Sequence, residues 1–236
     1  MDAIMSFLGS TGIFLAGIVV RLLIFAAIVT ALALPILLVL QGFEGVARLR
    51  RWARGVTRIG SMFWRPDVYY APGHTWVEPA SRRGVKVGLD DLAQRLVPGA
   101  ARVTLPAIGS RVRQGLPVAT VRADGQETPI VSPVTGVVTA VNGRVRRDPS
   151  LLHRDPYVRG WLFQVSPSEP GYLRLPRQDA ARAWFGGEVA RLERVLAQEL
   201  GYAMADGGEL VLPAHKMLAS GQWQRIVNSF LGQGQA

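Results

Sequence analysis

"VRADGQETPIVSPVTG", residues 121–136, carries the reading on which the fold turns. Its first half reads as a strand arriving at a hairpin and its second half as the strand leaving it. Asp124 and Gly125 sit at the tip. Asp-Gly favours a tight turn because glycine accepts positive φ and aspartate tolerates the same region. On either side lie further short β-branched runs between Gly, Pro and Asp turns: "GVKVGL", "ARVTLP", "LPVATVRA", "TPIVSP", "GVVTAVN" and "GWLFQVSP". That spacing predicts a small, mainly β barrel or sandwich. One stretch breaks the pattern. "LDDLAQRLVPG", residues 89–99, reads as a short helix, with Asp90 as N-cap and Pro98-Gly99 as the stop. Asp90 and Asp91 are therefore read as capping residues rather than a catalytic pair.

The order of these motifs is more specific than any one of them. "HTWVEP" from His74 precedes the "VGLDDLAQ" run, then "LPAIG", "SPVTG" and "DPYVRGWL". Over roughly 100 of the 236 residues this order resembles the H protein of the glycine cleavage system. The resemblance implies the lipoyl-domain fold, a flattened barrel-sandwich hybrid. It also implies a lysine at a hairpin tip, carrying lipoic acid through an amide, eleven residues before the glycine of the Pro-Val-(Ser/Thr)-Gly turn. Counting back from Gly136 lands on Gly125, which has no side chain. The only lysines are Lys86, in an earlier strand, and Lys216, far beyond the domain. Arg122 is basic where the family usually has an acid, and its guanidinium is no amine nucleophile. The resemblance thus implies the fold without the carrier activity, and no cofactor is expected.

The rest of the chain reads differently. Leu22–Leu40 is nineteen residues without a charge, and only Thr30 is polar. About 20 apolar residues cross a bilayer core, so a retained N-terminal transmembrane helix is expected, with Pro35 inside it. Arg21 marks its outer boundary or faces a partner in the membrane. Arg48, Arg50, Arg51, Arg54 and Arg58 follow the span, which places the N-terminus outside and the remainder in the cytoplasm. Val46, Leu49, Trp52, Ala53, Val56 and Ile59 recur at helical steps between these arginines. They predict a basic amphipathic helix on an anionic inner leaflet, with Trp52 at the headgroups. The formal net charge of +10 agrees with an anionic partner. Nucleic acid is not expected, since the patch directly follows the apolar run.

Several chemistries are excluded or unsupported. There is no cysteine, hence no disulfide, thiolate zinc site or cysteine nucleophile. His74, His153 and His215 are far apart and suggest no metal site. No phosphate-binding loop or nucleophile elbow occurs. The C-terminal residues form two apolar stripes. One runs Phe185, Val189, Leu192, Leu196 and Leu200 to a Gly201 cap. The other holds Leu218, Trp223, Ile226, Val227 and Phe230, after a turn and short strand in "ADGGELVLP". Either both helices pack on the domain or the last presents Trp223 and Phe230 to a neighbour.

The expected organisation is a membrane segment over 1–41, a basic helix and linker over 42–66, the β-domain over 67–170 and a helical extension over 171–236. The expected function is a non-catalytic, membrane-anchored accessory subunit of a larger complex, respiratory or photosynthetic, with no small-molecule substrate; the tip at Asp124 is read as a plain hairpin, with a docking knob as the alternative. The alternatives are a membrane-tethered carrier related to glycine cleavage and a lipid- or nucleic-acid-binding adaptor acting through the arginine helix.

Overall fold

The computed structural model describes residues 21–33, 55–60, 62–81, 84–200 and 218–232. The chain divides into two units, Met1–Arg50 and Arg51–Ala236. In the first, residues 21–33 form a helix, α1, whose Leu22, Leu23, Phe25 and Leu32 are all more than 60% exposed. Among the described residues no helix is long and apolar enough to cross a membrane. The expected span runs on to Leu40, so its last seven residues lie outside the described residues, as do Arg48, Arg50, Arg51, Trp52 and Arg54.

The second unit is mainly β, as the strand spacing predicts. A hairpin of β1 (Thr57–Ile59) and β2 (Met62–Trp64) enters it. Six strands follow in one sheet: β3 (Tyr69–Ala71), β4 (Thr75–Ser81), β5 (Gly84–Leu89), β11 (Trp161–Pro167), β10 (Gly136–Val141) and β7 (Arg111–Val112), in that spatial order. A second sheet has the order β6 (Ala100–Thr104), β8 (Pro117–Ala123), β9 (Gln126–Val131). The paired strands are antiparallel throughout both sheets. One apolar core takes side chains from both sheets, including Trp76, Val87 and Phe163 from the first and Val103, Val121 and Ile130 from the second.

The helices fill the ends. Asp90 caps α2 (Asp91–Leu96) as expected, its Oδ1 accepting from the Ala93 amide at 2.8 Å. Two short helices, α3 (Gly143–Arg147) and α4 (Leu151–Arg154), separate β10 from β11. The long α5 (Gln178–Leu200) buries Phe185, Val189, Leu192 and Leu196, four of the five residues in the predicted stripe. The last helix, α6 (Ser220–Leu231), buries Ile226, Val227, Phe230 and Leu231. Gly201 and the "ADGGELVLP" strand lie outside the described residues.

One expectation needs correction. The basic helix was expected to continue through Val56 and Ile59, but Thr57–Ile59 is a strand that turns back at Gly60. The β-branched Thr57 and Ile59 favour extension, and Gly60 at φ +56° supplies a turn no helix would accommodate. Arg58 accordingly lies on a strand, its guanidinium 5.6 Å from the centre of the Phe63 ring. The segment ahead of the β-domain packs on it: Met62 and Trp64 are core residues, and Arg65 is buried against Asp67, Glu78 and the Tyr157 carbonyl.

A tight packing constraint lies between β4 and β5. Trp76 is fully buried and pairs across the ladder with Gly88. Its indole Nε1 donates to the Leu89 carbonyl at 2.9 Å. A Cβ on residue 88 would stand 2.4 Å from the indole ring. The glycine is therefore the space into which the tryptophan packs. Gly88→Ala is expected to lower unfolding free energy by about 2 kcal/mol, read from denaturant midpoints at an unchanged m-value.

Candidate functional site

The β8–β9 hairpin ends as its sequence requires. Asp124 at φ +47° and Gly125 at φ +77° form the two-residue turn between Ala123 and Gln126, which pair with each other. This is the backbone of a tight hairpin whose twist matches its strands. Both turn residues are exposed, and a Cβ on Gly125 would meet nothing within 4 Å. Just behind the tip, Arg122 on β8 pairs with Glu127 on β9, with Nε to Oε1 at 3.0 Å. The tip is an open knob with no amine on it. Lys86 is on β5, an inner strand of the six-stranded sheet, half-buried and 4.0 Å from Glu78. Lys216 is outside the described residues.

The most concentrated polar cluster is elsewhere and buried. His74 closes the β3–β4 turn at φ +56° and is 1% exposed. Its Nδ1 is 2.9 Å from Asp90 Oδ2, and its Nε2 is 3.5 Å from Glu188 Oε2 on α5. Burial alone would favour the neutral ring. The Asp90 carboxylate above all, with Glu188, outweighs it and raises the His74 pKa to about 9. Glu188 is held below its ordinary value, first through His74 and then through Arg191 at 3.1 Å. Trp184 and Phe230 flank the imidazole at ring-centre distances of 5.3 and 5.8 Å. Arg191 stacks over Phe230 at 4.4 Å and donates to the Ser229 carbonyl at 3.1 Å. With the His74 ring 1% exposed, the cluster belongs to the packed interior where β3, α2, α5 and α6 meet.

A third group surrounds a cavity of about 130 Å³ between β2, α2 and α4. Gln94 donates to Asp91 at 2.9 Å, so its Oε1 faces His153 Nδ1 at 2.7 Å. That fixes the Nδ1–H tautomer, and burial holds the His153 pKa below its ordinary value. Besides the Gln94 bond, Asp91 accepts from the Phe63 amide and from Arg95. Neither aspartate of the adjacent pair is a free carboxylate. Among the described residues no group of three or more His, Cys, Asp or Glu could hold a metal ion.

Residues 68–180 match the glycine cleavage H-protein family. The glycine cleavage system H protein of Mycobacterium avium (strain 104) is 34% identical over 108 residues, 46% of this chain and 82% of that protein. The chain belongs to the glycine cleavage H-protein family. The Legionella pneumophila (strain Corby) glycine cleavage system H protein is 35% identical over 108 residues, 46% of this chain and 86% of its own length. A crystal structure of a glycine cleavage system H protein from Mycobacterium marinum aligns with 53% of this chain and 99% of its own, at 24% identity and a TM-score of 0.46.

The family motifs acquire physical reasons here. His74 and Trp76 of "HTWV" are the buried ion-pair centre and the indole that fills the Gly88 gap. Tyr157 of "DPYVRGWL" donates to the Phe63 carbonyl at 2.9 Å and ties the entry hairpin to the domain. The remaining expected contact residues are scattered. Arg21 is exposed at the start of α1, Asp124 is exposed at the tip and Trp223 is half-buried. Phe230 is 1% exposed beneath Arg191, so it is a core residue and not a docking aromatic. Arg58 borders a cleft of about 580 Å³ with Trp64, Pro66 and Arg182.

Reading the residues alone did not find the His74–Asp90–Glu188 cluster. Asp90 carried a capping signal that hid its second role, and Glu188 is far away in sequence. Its consequence is a pH dependence. A folded pKa near 9 against an ordinary 6.5 means the His74 contribution is complete below about pH 6.5 and is lost as pH rises through 9. Chemical unfolding from pH 6 to 9.5 should show stability falling by up to about 3 kcal/mol. His74→Gln should flatten that slope while lowering stability at pH 6.

Proposed function

We propose that this chain is a non-lipoylated, non-catalytic member of the H-protein family that serves as an accessory subunit of a larger membrane complex. The observation that carries the reading is the β8–β9 tip. The family's attachment position falls on Gly125, within a two-residue Asp-Gly turn that presents no primary amine. An amide-linked lipoyl arm needs a nucleophilic amine on a flexible stem, and Lys86 on its mid-sheet strand does not offer one at a tip.

Anchoring is proposed through the apolar run Leu22–Leu40, with the N-terminus outside and the β-domain in the cytoplasm. The exposed apolar side chains of α1 support this, since a helix that leaves Leu22, Leu23, Phe25, Ile28 and Leu32 uncovered suits lipid better than water. The basic stretch from Arg48 to Arg58 would lie near an anionic leaflet. No nucleic acid, small-molecule substrate or cofactor enters the proposal.

A second reading, a membrane-tethered carrier, draws on the names of the relatives, which are glycine cleavage system H proteins. Intact mass separates the two. Co-expression with a lipoate ligase and lipoate is expected to leave the mass of the chain unchanged. A lipoyl-sized adduct on Lys86 or Lys216 would establish the carrier reading instead. In mild detergent the chain is expected to size well above its own 25.7 kDa together with other subunits. A lone monomer free of companions would end the accessory-subunit reading.

A further inference from the structure

The second sheet carries an arrangement that its own stability does not explain. Arg102 on β6 and Arg122 on β8 are direct cross-strand partners, both exposed. Like charges placed opposite each other destabilise a sheet. Arg122 is relieved by Glu127, but Arg102 has no acidic partner among the described residues. Beside β6 lies α3, which adds Arg144, Arg146 and Arg147, all exposed and likewise without an acidic partner among the described residues. The five-residue helix is a firm mount for them. Val145 is fully buried, and the Asn142 cap donates to the Arg159 and Trp161 carbonyls at 2.8 and 2.7 Å. Arg159 is therefore held next to the same helix, and it too is exposed.

From this juxtaposition we infer that the face formed by β6, α3 and the β8–β9 hairpin docks the acidic surface of a partner protein. The inference rests on the accessory-subunit reading and supplies the chemistry of the contact. Three features select a protein over other anions. Guanidinium groups form paired, planar bonds with carboxylates. No large hydrophobic side chain is exposed on β6 or α3, so the face lacks the apolar anchors of a membrane-binding surface and the stacking rings of a single-strand binder. The arginines are also interspersed with acids: Glu127 against Arg122, Asp148 against Arg154 and Asp124 at the tip. A uniform polyanion would be repelled by those acids, whereas a protein surface can place basic groups opposite them.

Site-specific photo-crosslinking of the full-length chain in its native membranes tests this. Benzoylphenylalanine in place of Thr104, and separately of Gln126, puts the probe at exposed positions on the face. Cross-links are expected in Asp- and Glu-rich segments of one co-purifying protein. They should fall about tenfold or more in the combined variant Arg102→Glu, Arg144→Glu, Arg146→Glu, Arg147→Glu. The matching four Arg→Lys changes keep the charge and should retain part of the signal, which also covers a charge-reversed chain that folds poorly. Cross-links to phospholipid or nucleic acid, or none, would overturn the inference. So would a cross-link yield unchanged by charge reversal. An assembly that persists without cross-links from this face defeats the inference and leaves the accessory-subunit reading intact. A chain that sizes alone defeats both.

Discussion

The structure depends on one buried cation. The His74 imidazolium sits where the β3–β4 turn, the cap of α2 and the two C-terminal helices converge. Asp90 uses one carboxylate oxygen to cap α2 and the other to hold His74. Glu188 passes the alternation on to Arg191, which reaches the backbone of α6. A charge enclosed this completely is costly unless paired, and losing one partner of such a pair typically costs about 3–5 kcal/mol. The relay thereby fixes where α5 and α6 must lie, while apolar contacts supply most of the burial around it.

Much of the β-domain was legible before any coordinates. Strand spacing, the Asp90 cap and the Asp-Gly turn are local signals, and each has a local cause: pleat periodicity, an unsatisfied helix amide and tolerance of positive φ. The stripe on α5 was readable for the same reason. What escaped reading is non-local. Nothing near His74 announces Glu188, and nothing near Arg102 announces that its cross-strand neighbour is Arg122. The error at Val56–Ile59 is instructive in another way. Apolar residues at three-residue steps fit a helical period, but Gly60 and the β-branched neighbours favour a hairpin, and burial of Met62 and Trp64 secures it.

In the proposed reading, family membership and carrier chemistry part company at the hairpin tip. Core positions in the shared motifs each do a physical job: an indole needs the space at Gly88, and a tyrosine hydroxyl clamps the entry strand. The tip has no such duty to the core. Nothing packs against Gly125, so the residue there can change without disturbing the domain. A fold can therefore outlast the chemistry once mounted on it.

The strand edges have a consequence of their own. β7 is only two residues long, and β3 only three, with the Tyr70 amide already bonded to the Pro176 carbonyl. In the smaller sheet, α3 lies against β6 and α6 against β9. Little unsatisfied ladder is left for another chain to extend. Open strand edges pair with other chains and nucleate polymers, the more so where a domain is concentrated, as the proposed anchoring would do. These shielded margins allow crowding without fibre growth, so that contacts made by the domain are chosen by side chains rather than by backbone.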